Sequence, residues 1–117
     1  MYRISKEFHF SASHRLSHLP ADHQCARLHG HNYVVVVELA AADLDANGFV
    51  RDYHELKPLK DHIDENFDHR HLDDVLDVHS TAENLARYFF DWCKARWPET
   101  VAVRVSETPK TWAEYRP

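Results

Sequence analysis

His29 and His31 stand two apart in Cys25-Ala-Arg-Leu-His29-Gly-His31, and that spacing is chemistry waiting for a backbone. The apolar run behind them, Tyr33 to Val37, reads as a β-strand. On a strand, residues i and i+2 share a face, so both imidazoles project together and can chelate a metal ion. Gly30 between them leaves room for another group to approach the backbone. The plain alternative is two half-exposed histidines at a strand start. His14 changes the balance. Phe8, Phe10, Ala12 and His14 share one face of a first strand over Tyr2 to Ser13, provided it runs on without a bulge. Two adjacent strands then present three imidazoles at one sheet end. Three protein ligands leave one tetrahedral position open, the pattern of a catalytic zinc and not a structural one. Such a zinc can bind a substrate oxygen and ease the removal of its proton.

Three further positions carry reactive groups. Cys25 lies on the loop before His29, and a cysteine beside a metal and a histidine is a candidate proton shuttle. Asp68-His69-Arg70-His71 sets a carboxylate beside an imidazole, which suits a general acid or base. Neighbours in sequence often point apart, so a solvated mixed-charge loop is the alternative there. Glu107 continues the parity of Val101, Val103 and Val105. A carboxylate on an apolar face needs a donor, because burying it unpaired is costly. A heterocycle with adjacent N–H and amino groups would match its two oxygens. If the strand has already ended, Glu107 is in water.

These groups need elements to hold them. The strand over Tyr33–Val37 is apolar on consecutive positions and predicts cover on both faces. Asp45-Ala46-Asn47-Gly48 predicts a turn, with a short extended return at Phe49 and Val50. Leu56, Leu59, Ile63 and Phe67 fall on one side of a first helix. That helix starts either at an Asp52/Glu55 capping box or, after a turn, near Pro58. A second helix begins at a Ser80/Glu83 capping box, carries Ala82, Leu85, Ala86, Phe89, Trp92 and Cys93 on its apolar stripe, and stops before Pro98. Cys93 on that stripe reads as core. His18 and His23, on the loop from Leu16 to Leu28, read as solvated. Val101–Val105 and Thr111–Tyr115 supply two more strands, so residues 1–117 form a single α+β domain in the order ββααββ.

The totals narrow the partners. A formal net charge of -5 argues against nucleic acid as the main partner. No apolar run approaches the ~20 residues that cross a membrane as a helix. Two cysteines and no signal-like start predict a reduced, cytoplasmic protein. Eleven histidines are scattered through the chain and are not a terminal tag.

Taken in order, Phe10-Ser-Ala-Ser-His14-Arg-Leu16, Cys25-Ala-Arg-Leu-His29-Gly-His31-Asn-Tyr33, Asp52-Tyr-His-Glu-Leu56-Lys57, Phe67-Asp68-His69, Thr81-Ala-Glu83-Asn84 and Ser106-Glu107-Thr108 resemble the 6-pyruvoyl tetrahydropterin synthase family. The Cys-x-x-x-His-Gly-His spacing resembles its bacterial, carboxytetrahydropterin-forming branch. The resemblance implies a T-fold, an antiparallel four-stranded sheet with two helices on one face. It implies zinc on His14, His29 and His31, a proton-transfer group of Cys25, Asp68 and His69, and Glu107 as anchor of the pterin ring. Asp68 and His69 would come from a neighbouring subunit of a trimer or hexamer. The implied reaction converts 7,8-dihydroneopterin triphosphate to 6-carboxytetrahydropterin with loss of acetaldehyde and triphosphate, on the route to 7-deazapurines such as queuosine. Two positions depart from the pattern. His71 stands where an aromatic is often found and competes with His69 as the base, and His79 stands where a proline is common. A non-catalytic zinc- or pterin-binding T-fold protein is the rival reading.

Overall fold

Two long strands organise the chain. In the computed structural model, which covers Met1–Pro117, β1 (Tyr2–His14) and β2 (His29–Ala41) pair antiparallel along their whole length. The register runs from Tyr2 opposite Ala41 to His14 opposite His29 without a bulge. After β2 come α1 (Lys57–Asn66), β3 (Arg70–His71), α2 (Ala82–Arg96), β4 (Thr100–Thr108) and β5 (Thr111–Tyr115). The sheet order is β3-β1-β2-β4-β5. All pairs are antiparallel except β3 with β1.

Five strands replace the expected four, while the α+β class and the two-helix layer stand. The extra strand, β3, is two residues long, too short for any periodicity to announce it. It forms because the chain leaving α1 is clamped to the outer edge of β1. Asp68 Oδ1 accepts the Ser11 N–H (2.9 Å), and the His69 N–H donates to the Ser11 carbonyl (2.6 Å). Arg70 and His71 pair with Ala12 and Ser13, and Asp73 Oδ2 accepts the Arg15 N–H (2.9 Å). A carboxylate thus finishes the ladder at each end. His69 makes this turn with φ of 58°, in the left-handed region that side chains normally avoid. From Tyr2 to Phe10 the outer edge of β1 has no strand partner.

One sheet face carries the core. Phe8, Phe10, Tyr33, Val35, Val37, Val103 and Val105 meet Leu59 and Ile63 of α1 and Leu85, Phe89 and Cys93 of α2 in one buried cluster. Phe10 stacks on Tyr33 at 4.9 Å between ring centres. The opposite face presents Glu7, Asn32, Arg104 and Glu114. Val36 is buried on that side too, between its cross-strand neighbours Glu7 and Arg104. Of the consecutive valines, Val35, Val36 and Val37 are buried within one chain and Val34 is half-buried.

The helix starts differ in detail from expectation. Asp52 caps a 3-10 turn, Tyr53–Leu56, by accepting the His54 N–H (2.9 Å). Glu55 pairs with Arg51 (2.6 Å) and closes no capping box. α1 follows with Pro58 in its first turn, where the missing N–H is no loss. At α2 the N-cap is Thr81, whose Oγ1 accepts the Asn84 N–H (3.2 Å). Ser80, the expected cap, is fully buried and donates to Asp73 Oδ1 (2.7 Å). Both residues can cap, and the Asp73 carboxylate, which takes the Ser80 hydroxyl, decides which one does. The Asn47-Gly48 turn is present, with Gly48 at φ of 86°, but Phe49 and Val50 form no strand. Asp45 instead holds the Asn47 and Phe49 N–H groups on its side chain.

Candidate active site

The β1–β2 register builds the histidine cluster. His14 lies directly opposite His29, and His31 lies two residues further on along the same face. The three offer ligand nitrogens that all fall within 4.8 Å of one another. Their protonation follows from their outer partners. His14 Nδ1 sits 2.8 Å from the Ser80 carbonyl, and His29 Nδ1 sits 2.6 Å from the Arg27 carbonyl. A carbonyl only accepts, so each Nδ1 carries the proton and each Nε2 keeps its lone pair. Those two Nε2 atoms are 2.9 Å apart. Two lone pairs at that distance repel unless a cation engages both. His31 Nε2 is buried with no hydrogen-bond partner. Burial, foremost, holds the His31 pKa below its ordinary value, and a proton gained by His14 or His29 would push it the same way, so His31 stays in the neutral, ligating form. The donor set fits a metal ion.

Beside the cluster is a cleft of about 490 Å³ lined by His14, Cys25, His29, His31, Glu107 and Thr108 among others. Cys25 is half-buried, and its loop is tied down at both sides. The Leu16 N–H donates to the Cys25 carbonyl (2.8 Å), and the Cys25 N–H donates to His23 Nδ1 (3.0 Å). His23 is thus a turn cap and not merely solvated, while His18 stacks on His79 at 3.6 Å. Glu107 points into the cleft with Oε2 at 3.8 Å from His31 Nε2. Burial pushes the Glu107 carboxyl up, a trend that His14 and His29 oppose and Glu83 reinforces. An acceptor pair in such a place suits a ligand with two adjacent N–H donors.

Asp68 and His69 are elsewhere. They belong to the clamp on β1, where Asp68 Oδ2 lies 3.0 Å from His69 Nδ1. The Ser11 N–H, foremost, holds the Asp68 carboxyl below its ordinary value. His69 is 83% exposed and lines a second cavity of about 490 Å³ with Ser11, Ser13 and Asn32. The two cavities share only His31. Within one chain, Cys25 and the Asp68–His69 pair therefore do not meet.

Three residues near the cluster escaped the sequence. Tyr33 was one more apolar strand position, yet its buried hydroxyl lacks a partner and its ring lies 5.5 Å from that of His31. Ser80 read as a helix cap, and Asp73 carried no reading at all. Both lie more than fifty residues from His14 in sequence, and no spacing rule connects them.

The fold and site together define the class. The chain superposes on 6-pyruvoyl tetrahydropterin synthase of Caenorhabditis elegans with a TM-score of 0.85 and 30% identity, over 99% of this chain and 95% of that one. It is a T-fold protein with a histidine cluster suited to a metal. The family model described as 6-pyruvoyl tetrahydropterin synthase matches residues 3–117, and the chain belongs to that family. Its relatives include the 6-carboxy-5,6,7,8-tetrahydropterin synthase of Bacillus subtilis, 33% identical over 99% of this chain and 86% of that protein. They also include the 6-pyruvoyl tetrahydrobiopterin synthase of Homo sapiens, 36% identical over 97% of this chain and 90% of that protein.

Proposed function

We propose that the chain is a zinc-dependent 6-carboxytetrahydropterin synthase. The observation that carries this reading is the convergence of His14, His29, His31, Cys25 and Glu107 on one cleft. Its substrate is 7,8-dihydroneopterin triphosphate, converted with uptake of water to 6-carboxytetrahydropterin, acetaldehyde and triphosphate. A zinc ion on the three histidines supplies a Lewis acid for the hydroxyls of the substrate side chain. Glu107 receives the ring N–H and amino donors of the pterin and fixes its orientation. Cys25 Sγ takes and returns protons between side chain and ring. His69, oriented by Asp68, completes that transfer from a neighbouring subunit, a reading supported by its exposure and its distance from the cleft of its own chain. The assembly is a trimer or hexamer with shared sites. No helix is long and apolar enough to cross a membrane, in keeping with a cytoplasmic place on the route to 7-deazapurines or queuosine.

The similarity to the human protein favours one second reading, a pyruvoyl-type lyase on the same scaffold. Turnover of 7,8-dihydroneopterin triphosphate with mass analysis of the products decides between them. Acetaldehyde and the 6-carboxy product are expected. A 6-pyruvoyl product establishes the second reading, and no turnover leaves a binding protein.

A further inference from the structure

We propose that Asp73 is a positioning residue of the metal centre, aiming His14 Nε2 at the ion from behind. The inference rests on the reading that His14, His29 and His31 hold a metal. Asp73 does not line the cleft, yet its two oxygens grip the chain on both sides of His14. Oδ2 accepts the N–H of Arg15, the residue just past the end of β1, at 2.9 Å. Oδ1 accepts the Ser80 hydroxyl at 2.7 Å. Ser80 in turn offers its carbonyl to His14 Nδ1 at 2.8 Å, with its own Oγ 3.3 Å away. One carboxylate therefore fixes both the strand that carries the imidazole and the acceptor that sets its tautomer. His14 and Ser80 are each 1% exposed or less, so water has no access to replace that acceptor.

His71 completes the brace. Its Nε2 lies 3.2 Å from Asp73 Oδ2, and its Nδ1 lies 2.9 Å from Ser13 Oγ. Ser13, His14 and Arg15 are thus held from one side by a path through His71, Asp73 and Ser80. This gives His71 a task that leaves His69 free as the acid–base group. An amide at position 73 has one acceptor where the carboxylate has two, so Asp73→Asn loses the charge and can keep the Arg15 N–H only by turning its own N–H toward Ser80 and reversing that bond. Outer partners of ligating histidines typically change metal affinity by about 10–100-fold.

The test uses cobalt(II) as probe, with the affinity read by chelator competition and the geometry by the visible spectrum. Wild type is expected to take one cobalt per chain with a four-coordinate spectrum. Asp73→Asn and Ser80→Ala are each expected to bind about 10–100-fold more weakly with a shifted spectrum. Because both act along one path, the double variant is expected to be no weaker than the weaker single. Asp68→Ala removes the matching carboxylate bond to the Ser11 N–H of β1 and is expected to leave cobalt affinity unchanged. Wild-type affinity and spectrum in Asp73→Asn would overturn the proposal, as would an equal loss in Asp68→Ala or additive losses in the double variant. Should Asp73→Asn fail to fold, Ser80→Ala reads the same path, and wild-type affinity and spectrum there overturn it equally. A wild type that takes up no cobalt overturns the metal reading itself and this proposal with it.

Discussion

At the scale of residues, the cleft brings together groups held in two different ways. His14, His29 and His31 are set by strand register, whereas Cys25 sits on a loop held through its own backbone N–H and carbonyl. Removing its sulfur leaves those bonds in place. Cys25→Ala is therefore expected to keep its fold and its metal while turnover falls by about 10²–10⁴-fold, the usual range for loss of an acid–base group. A near-normal kcat with a lowered melting temperature would make Cys25 structural. Glu107→Gln retains the shape of the side chain but offers one acceptor in place of two. Calorimetry with a pterin analogue is expected to show weaker binding, and unchanged affinity would remove Glu107 from the site. These residues were legible because each belongs to a local pattern: two histidines at strand spacing, a cysteine four positions before them, a carboxylate at the end of a valine alternation. Asp73, Ser80 and the Tyr33 hydroxyl belong to no local pattern. Only the fold brings them together.

At the scale of elements, long periodic segments announced themselves and short ones did not. The α2 stripe was readable because Leu85, Ala86, Phe89 and Cys93 recur at helical spacing and all face the core. β3 was not, since two residues carry no period and an aspartate from outside the strand sets its place. The choice between Ser80 and Thr81 as cap was likewise made by a distant partner. Cys93 gives the α2 packing a measurable signature. Burial pushes its thiol up from 9.0 to about 12. Above pH 9 the unfolded chain releases this proton while the folded chain keeps it, so the folded state binds more protons there. Its contribution to stability is complete below pH 9 and is lost as pH rises toward 12. Denaturant titrations across that window are expected to show a shallower fall in Cys93→Ala than in wild type, on top of a constant offset from the lost packing. Equal slopes would mean that the α2 face admits water.

At the scale of the whole molecule, a sheet covered on one side leaves a body of 55 × 25 × 25 Å. Its accessible surface is 7162 Å², against about 6,600 Å² for a compact monomer of 13.8 kDa. The excess goes with an open sheet face and two strand edges, and edges are normally paired or blunted. Shared active sites follow if a second copy meets that edge where His69 is exposed beside the half-buried Asp68. Mixing Cys25→Ala with His69→Ala under conditions that exchange subunits is expected to restore part of the activity. Exchange confirmed by mass spectrometry with no activity would mean that each chain carries its own complete site. The bare edge of β1 from Tyr2 to Phe10 also bears on what folding stability means for this chain. Hydrogen bonds that close only between copies are lost on dilution, so the free energy of folding becomes a function of concentration. The melting temperature is expected to drop between micromolar and nanomolar protein. A chain that melts at the same temperature at both has no need of a neighbour, and its long first strand ends in water.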